Sequence, residues 1–327
     1  MAVSKYFAVG RTAVLSQRLL SAETFNRLAD CQDVEQAMRF LRETGYDSGV
    51  FGDYEEMLRK QLSDAVSYLK DMTSEQRVTD AFVLCYDYIN AKILMKSKYM
   101  RQDNLGMCYN CGLIDKDKLW QWISNDNYKD LPTFMAKALA EIDWLFAEGK
   151  RSPALIDMLL DVAMYRDVRQ HIKGNVPQSV KQYFFLEVDC NNIMALYRAK
   201  RADIPADVVA KTLVDGYTFD VEELREIYET DIAQMTEWLS KTDYRWLAEY
   251  CQQCVDEGKD FGKCYREIDK KKHEFMSQGK NNISVEPVIC YYLSKVTETE
   301  NIRTVLICIK NGVDKSAIKE RIKELYV

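Results

Sequence analysis

The chain has 327 residues, 47% hydrophobic and 29% charged, a balance that excludes a disordered polymer and leaves room for two or three domains. Its net charge of −6 and pI near 5.3 argue against a duplex-binding surface, which needs clustered cations to release counterions. The longest charge-free run, residues 104–114, is far short of the ~20 apolar residues that a bilayer requires.

No apolar stretch of signal-peptide length lies near Lys5 and Arg11, so the chain is expected to stay where it is made. The ten cysteines are then expected to be reduced thiols that pack as small hydrophobes.

In chain order, apolar side chains from Phe25 through Leu28, Val34 and Met38 to Leu41 follow helical spacing. Thr73 and Gln76 have the spacing of a capping box. The run Phe82–Tyr86 leads into Asp87 and Asn90, and Lys92, Lys96 and Lys98 follow. Asp115 marks a helix start, and Ser152-Pro153 places a capping hydroxyl ahead of a proline at the first helical position. Tyr183–Leu186 leads into Asp189 and Asn192, trailed by Arg198, Lys200 and Arg201. Asp220 and Glu223 form a second capping-box pattern, and a single apolar stripe runs from Val221 to Leu239. Ile289–Leu293 leads into Glu298 and Asn301, with Arg303 and Lys310 beyond. Gly312 is placed to end that helix, and Ile318, Ile322 and Leu325 read as one face of a short terminal helix. Five prolines and thirteen glycines interrupt little, and no run alternates as a strand does. The expected fold is all-α.

A long-period repeat underlies this order. Leu41–Tyr46 resembles Leu239–Tyr244 and, more weakly, Leu139–Trp144. Helix starts at Ser21, Asp115 and Asp220 precede the acids Asp87, Asp189 and Glu298 by 66, 74 and 78 residues. Each acid has an asparagine at i+3, on the same helix face: Asn90, Asn192 and Asn301. Three divergent repeats are expected, over residues 1–103, 104–203 and 204–327, with the acid–asparagine pairs facing inward to bond a neighbouring segment. The trailing cations are expected to stay solvated and complement the helix dipole.

Catalysis finds little support. The acids stand about 100 residues apart beside asparagines, and the histidines, His171 and His273, sit in charged surroundings. No GxxxxGK[ST] loop cradles a phosphate. The CxxC pairs Cys108/Cys111 and Cys251/Cys254 leave a zinc or redox protein as a competing reading, although the second pair sits in a helical pattern. No catalytic, cofactor-binding or metal-binding residue is expected.

These residues carry a resemblance. Tyr6–Arg11 with Leu19–Ser21, Asp87–Lys92, Val188–Ile193 and Glu298–Arg303 together resemble the C subunit of archaeal and bacterial V/A-type ATPases, a family whose eukaryotic relative is the vacuolar ATPase d subunit. The likeness spans the whole chain. Ala91 stands where the other two repeats have Ile193 and Ile302, and the cysteine content belongs to this chain. The resemblance implies three helical subdomains forming a funnel around a pseudo-threefold axis, without an active site. It implies one copy per complex, peripheral on the cytoplasmic face without lipid insertion. The implied partners are the membrane proteolipid ring and the central-stalk subunits, between which it passes torque for proton or sodium transport. The competing interaction reading is a generic α-helical protein-binding scaffold.

Overall fold

The computed structural model describes residues 3–46, 53–100 and 104–326. The chain is all-α: among the described residues there is no strand, and no helix is long and apolar enough to cross a membrane. Three long helices dominate, α5 (Gln76–Met100), α9 (Gln178–Arg201) and α15 (Glu286–Lys310). Each is lined with buried residues around much of its circumference, as a helix packed on several sides must be.

Shorter helices fill the intervals. Before α5 come α1 (Lys5–Ser16), α2 (Ala22–Ala29), α3 (Val34–Glu43) and α4 (Tyr54–Met72). Between α5 and α9 lie α6 (Lys116–Ser124), α7 (Thr133–Ala147) and α8 (Pro153–His171). Between α9 and α15 lie α10 (Ala206–Val209), α11 (Val221–Glu229), α12 (Ile232–Ser240), α13 (Arg245–Asp256) and α14 (Gly262–Ser277), and α16 (Lys315–Lys319) follows α15.

Two compact units are present, one comprising Met1–Thr79 with His273–Val327, the other Asp80–Lys272. In the first, α15 packs against α1, α2, α3 and α4. Its core joins Phe25, Leu28, Leu41, Met57 and Leu58 to Ile302, Val305, Leu306 and Ile318, so the two ends of the chain share one hydrophobic interior. In the second, α7 packs on α8, α12 on α13 and α13 on α9. Phe82 of α5 meets Tyr183 and Phe184 of α9 with ring centroids 5.5 and 4.8 Å apart, an aromatic contact between two of the long helices.

Several local expectations need correction. The stripe from Phe25 to Leu41 is two helices, because Asp33 caps α3 by accepting the Gln36 amide at 2.7 Å while the Gln36 side chain accepts the Gln32 amide at 2.7 Å. The stripe from Val221 to Leu239 breaks at Thr230, and Asp231 opens α12 with a capping box to Gln234. In both, apolar spacing continues across a turn that polar side chains enforce. Thr73 does not cap α5; its hydroxyl accepts the Glu75 amide at 3.1 Å. Ser152 holds the N-cap position of α8, with Pro153 inside the first turn, but its side chain makes no capping bond. The terminal helix is only five residues long. Ile322 and Leu325 lie beyond it, and both still pack on the first unit's core. Gly312 does terminate α15, at φ +66°, where a Cβ would be strained. Asp220 and Glu223 form their capping box as read.

Candidate functional site: three buried acid–asparagine clasps

All six signature side chains are buried, the most exposed being Asn192 at 3%. Buried polar groups of this kind must find partners or forfeit their hydration. The asparagines follow one scheme in all three cases, and the acids follow a shared scheme in two of them.

On α5, Asn90 bonds Tyr109 in both directions: Nδ2 donates to the carbonyl at 2.9 Å, and Oδ1 accepts the amide at 2.7 Å. One turn earlier, Asp87 accepts the amides of Leu113 and Ile114, each at 2.9 Å. The next residue, Asp115, is the N-cap of α6 and accepts the Lys118 amide. On α9, Asn192 bonds Val214 in the same two directions, at 2.7 and 3.1 Å. Asp189 accepts the amides of Tyr217 and Thr218 at 3.1 Å, just before Asp220 caps α11. On α15, Asn301 bonds Lys323 in both directions at 2.9 Å. Glu298 instead accepts the amide of Leu20 at 2.7 Å, and the following Ser21 caps α2.

Each long helix thus holds the loop that leads into a short-helix start, those starts being Asp115, Asp220 and Ser21. For α5 and α9 that loop is one continuous stretch, residues 109–114 and 214–218. For α15 it is interrupted by the ends of the chain: Lys323 from the C-terminal tail meets the asparagine, and Leu20 from the N-terminal segment meets the acid.

Two glycines, missed in the sequence, make the close approach possible. A Cβ on Gly112 would stand 2.0 Å from an Asp87 carboxylate oxygen, and one on Gly216 would stand 1.7 Å from an Asp189 oxygen. Neither position tolerates a side chain while the acid keeps its bonds. The signal was there: each glycine falls a few residues before a helix start and about 25 after an acid.

The windows' aromatics diverge. Tyr244 donates to Asp189 at 2.7 Å. Tyr46 lies buried beneath the Lys295 ammonium, 4.6 Å from its ring centroid, and among the described residues its hydroxyl has no hydrogen-bond partner. Burial first, and the Glu298 charge second, push that phenol well above its ordinary value. Trp144 is 58% exposed, which matches the weakness of its window.

Burial also raises the Asp189 carboxyl, and the Tyr244 and Thr218 donors only partly offset it. Asp167 is raised in the same way, again by burial above all, although the Tyr88 hydroxyl donates to it. These are desolvated carboxylates held by fixed donors.

The trailing cations divide: Arg198, Arg201 and Lys310 are exposed as expected, whereas those after the first acid, and Arg303, are drawn into ion pairs. Lys92 and Lys96 pair with Asp161 and Asp157 of α8, at 2.5 and 2.6 Å, stepping one turn along both helices. Lys98 reaches Asp126 and Asp143, and Arg303 forks onto Glu55 of α4 at 3.0 to 3.2 Å. Lys200 lies over Tyr228 and Arg198 over Tyr265. The histidines are likewise engaged: His273 Nε2 is 2.7 Å from the Leu325 carbonyl, and His171 Nδ1 is 2.9 Å from the Asp167 carbonyl. Both CxxC pairs are buried, and among the described residues no cluster of metal-ligating side chains is arranged to hold an ion.

The sequence model of the ATP synthase (C/AC39) subunit family matches residues 8–321, a span that contains all six signature acids and asparagines. The chain belongs to that family. Among curated relatives, the C subunit of the V-type sodium ATPase of Enterococcus hirae is 19% identical over 318 residues, covering 94% of both chains. The C subunit of the A-type ATP synthase of Thermococcus kodakarensis is 23% identical, covering 96% of this chain and 89% of its own. That of Archaeoglobus fulgidus is also 23% identical, covering 91% and 90%. The C/AC39 likeness therefore runs nearly end to end, as the sequence resemblance had implied.

Proposed function

We propose that this chain is the non-catalytic adaptor of a rotary V/A-type ATPase, seated peripherally between the proteolipid ring and the central-stalk subunits and passing torque between them. The observation that carries the reading is the end-to-end match to this family of stalk-associated proteins, with high coverage on both sides. The chemistry is compatible with it. Each signature acid accepts backbone amides, with Lys295 also on Glu298 and Tyr244 also on Asp189, an arrangement suited to fixing loops. A part that carries torque must resist bending where its helices meet its loops, and paired bonds in a desolvated interior do that.

We propose further that the three repeats, 1–103, 104–203 and 204–327, are linked cyclically through these clasps, the third closing on the first by the Glu298–Leu20 bond. The test is affinity purification of the tagged chain from native membranes. Recovery of the proteolipid and stalk subunits together supports the adaptor. Recovery of neither favours a generic helical scaffold.

A further inference from the structure

Away from the clasps, three thiols meet where α13 and α14 come together beside α9. Cys264 of α14 has its sulfur 3.7 Å from that of Cys251 and 3.9 Å from that of Cys254, both on α13. The Cys251 sulfur is also 3.4 Å from the Met194 sulfur of α9. Such contacts among buried thiols are compatible with plain packing, but two further features set this group apart.

The first is constraint. The turn joining Cys254 to Cys264 is gripped from α9: Arg201 donates to the Lys259 carbonyl at 2.6 Å, and its guanidinium lies 4.5 Å from the Phe261 ring centroid. The two sulfurs are therefore held near one another by contacts outside the thiols themselves, and a disulfide needs them to close by about 2 Å, to ~2.05 Å. The second is access. Cys254, in the last turn of α13, is 6% exposed, whereas Cys251 and Cys264 are fully enclosed.

We propose that Cys254 and Cys264 form an oxidisable dithiol that a peroxide closes to a disulfide, fastening α13 to α14. The Cys254 thiolate attacks the peroxide, forming an S–O bond as the O–O bond breaks, and water or an alcohol leaves after protonation. The Cys264 thiolate then attacks the Cys254 sulfur, forming the S–S bond as the S–O bond breaks and hydroxide leaves, to be protonated to water. Two electrons pass from the two sulfurs to the peroxide. In the reduced protein, hydrogen bonds from the Cys251 and then the Cys254 thiol bring Cys264 down to about 7, and the larger of these, from Cys251, is still in place for the second step. Burial pushes Cys254 up to about 11, so the first step is slow and the group is a responsive site, not a peroxidase.

The full-length protein is treated with hydrogen peroxide in native buffer, denatured in iodoacetamide, digested with trypsin and read by mass spectrometry. Lys259 and Lys263 lie between the two cysteines, so digestion separates them unless a disulfide holds them. A cross-linked Cys254–Cys264 peptide, lighter by two hydrogens than the dithiol pair and split by dithiothreitol, is expected. Cys251→Ser keeps the cross-link and Cys254→Ser abolishes it. A disulfide through Cys251 would overturn the assignment, as would sulfinic or sulfonic acid without any cross-link, or complete alkylation of both thiols.

Discussion

Asn192→Ala is the most informative single perturbation of the clasps. Asn192 donates to the Val214 carbonyl at 2.7 Å and accepts its amide at 3.1 Å, and both bonds are buried. Alanine removes two hydrogen bonds and leaves a backbone donor and acceptor without water. Each stranded group costs ~1–3 kcal/mol, so the substitution should cost about 2–4 kcal/mol, a little below the simple sum because the loop can relax. In a body of this size 1 kcal/mol lowers Tm by roughly 2–4 °C, so a drop of about 4–15 °C is expected. Urea unfolding followed by circular dichroism measures the free-energy loss, a thermal melt measures the drop in Tm, and the folded spectrum should be unchanged. The matched substitution Asn90→Ala should cost less, because the Tyr109 partner is only partly buried and water can replace the lost bonds. If Asn192→Ala lies within ~0.5 kcal/mol of wild type, or Asn90→Ala costs more, the clasps do not fix these loops as argued.

Further outcomes follow from the same geometry. Gly216→Ala should destabilise by about 3 kcal/mol or more, because its Cβ must displace the Asp189 carboxylate from two amides and a tyrosine; a thermal melt unchanged from wild type would contradict this. Burial raises the Asp167 carboxyl, so the folded protein keeps that proton to higher pH than the unfolded chain does. Its contribution is greatest below the unfolded value of about 3.9 and is lost as pH rises through the folded value. Relative to Asp167→Asn, wild type should therefore gain stability on acidification, and a pH-independent difference in urea titrations would refute it. Attachment through protein contacts alone predicts release from membranes by high salt or mild chaotrope without detergent. A chain that only detergent frees, once the stalk is stripped, would exclude that attachment.

Much of the molecule was legible from the sequence because its signals are local. The all-α class follows from apolar periodicity and scarce helix breakers, and Ser21, Asp115 and Asp220 are recognisable as caps because a capping side chain acts within three residues. Periodicity failed where apolar spacing ran on through a polar turn, at Asp30–Asp33 and Thr230–Asp231, since a stripe records which faces are buried and not where the backbone changes direction. The acid–asparagine pairs stood out by their recurrence, but their partners did not. Asp87 and Asp189 reach amides 26 to 29 residues ahead, and Glu298 reaches one 278 residues back. No local rule links Glu298 to Leu20, or explains why Gly112 and Gly216 lack side chains until the carboxylates are seen against them. The trailing cations show the same division. Their charge favours a helix C-terminus in any fold, whereas their pairing with Asp157, Asp161 and Glu55 depends on which helix the tertiary structure sets beside them. The sequence by itself determined which segments become helices and which polar groups lie on a buried face. Only the packing of distant segments decided which donors those groups meet, because a desolvated carboxylate must take whatever amides the fold brings within reach.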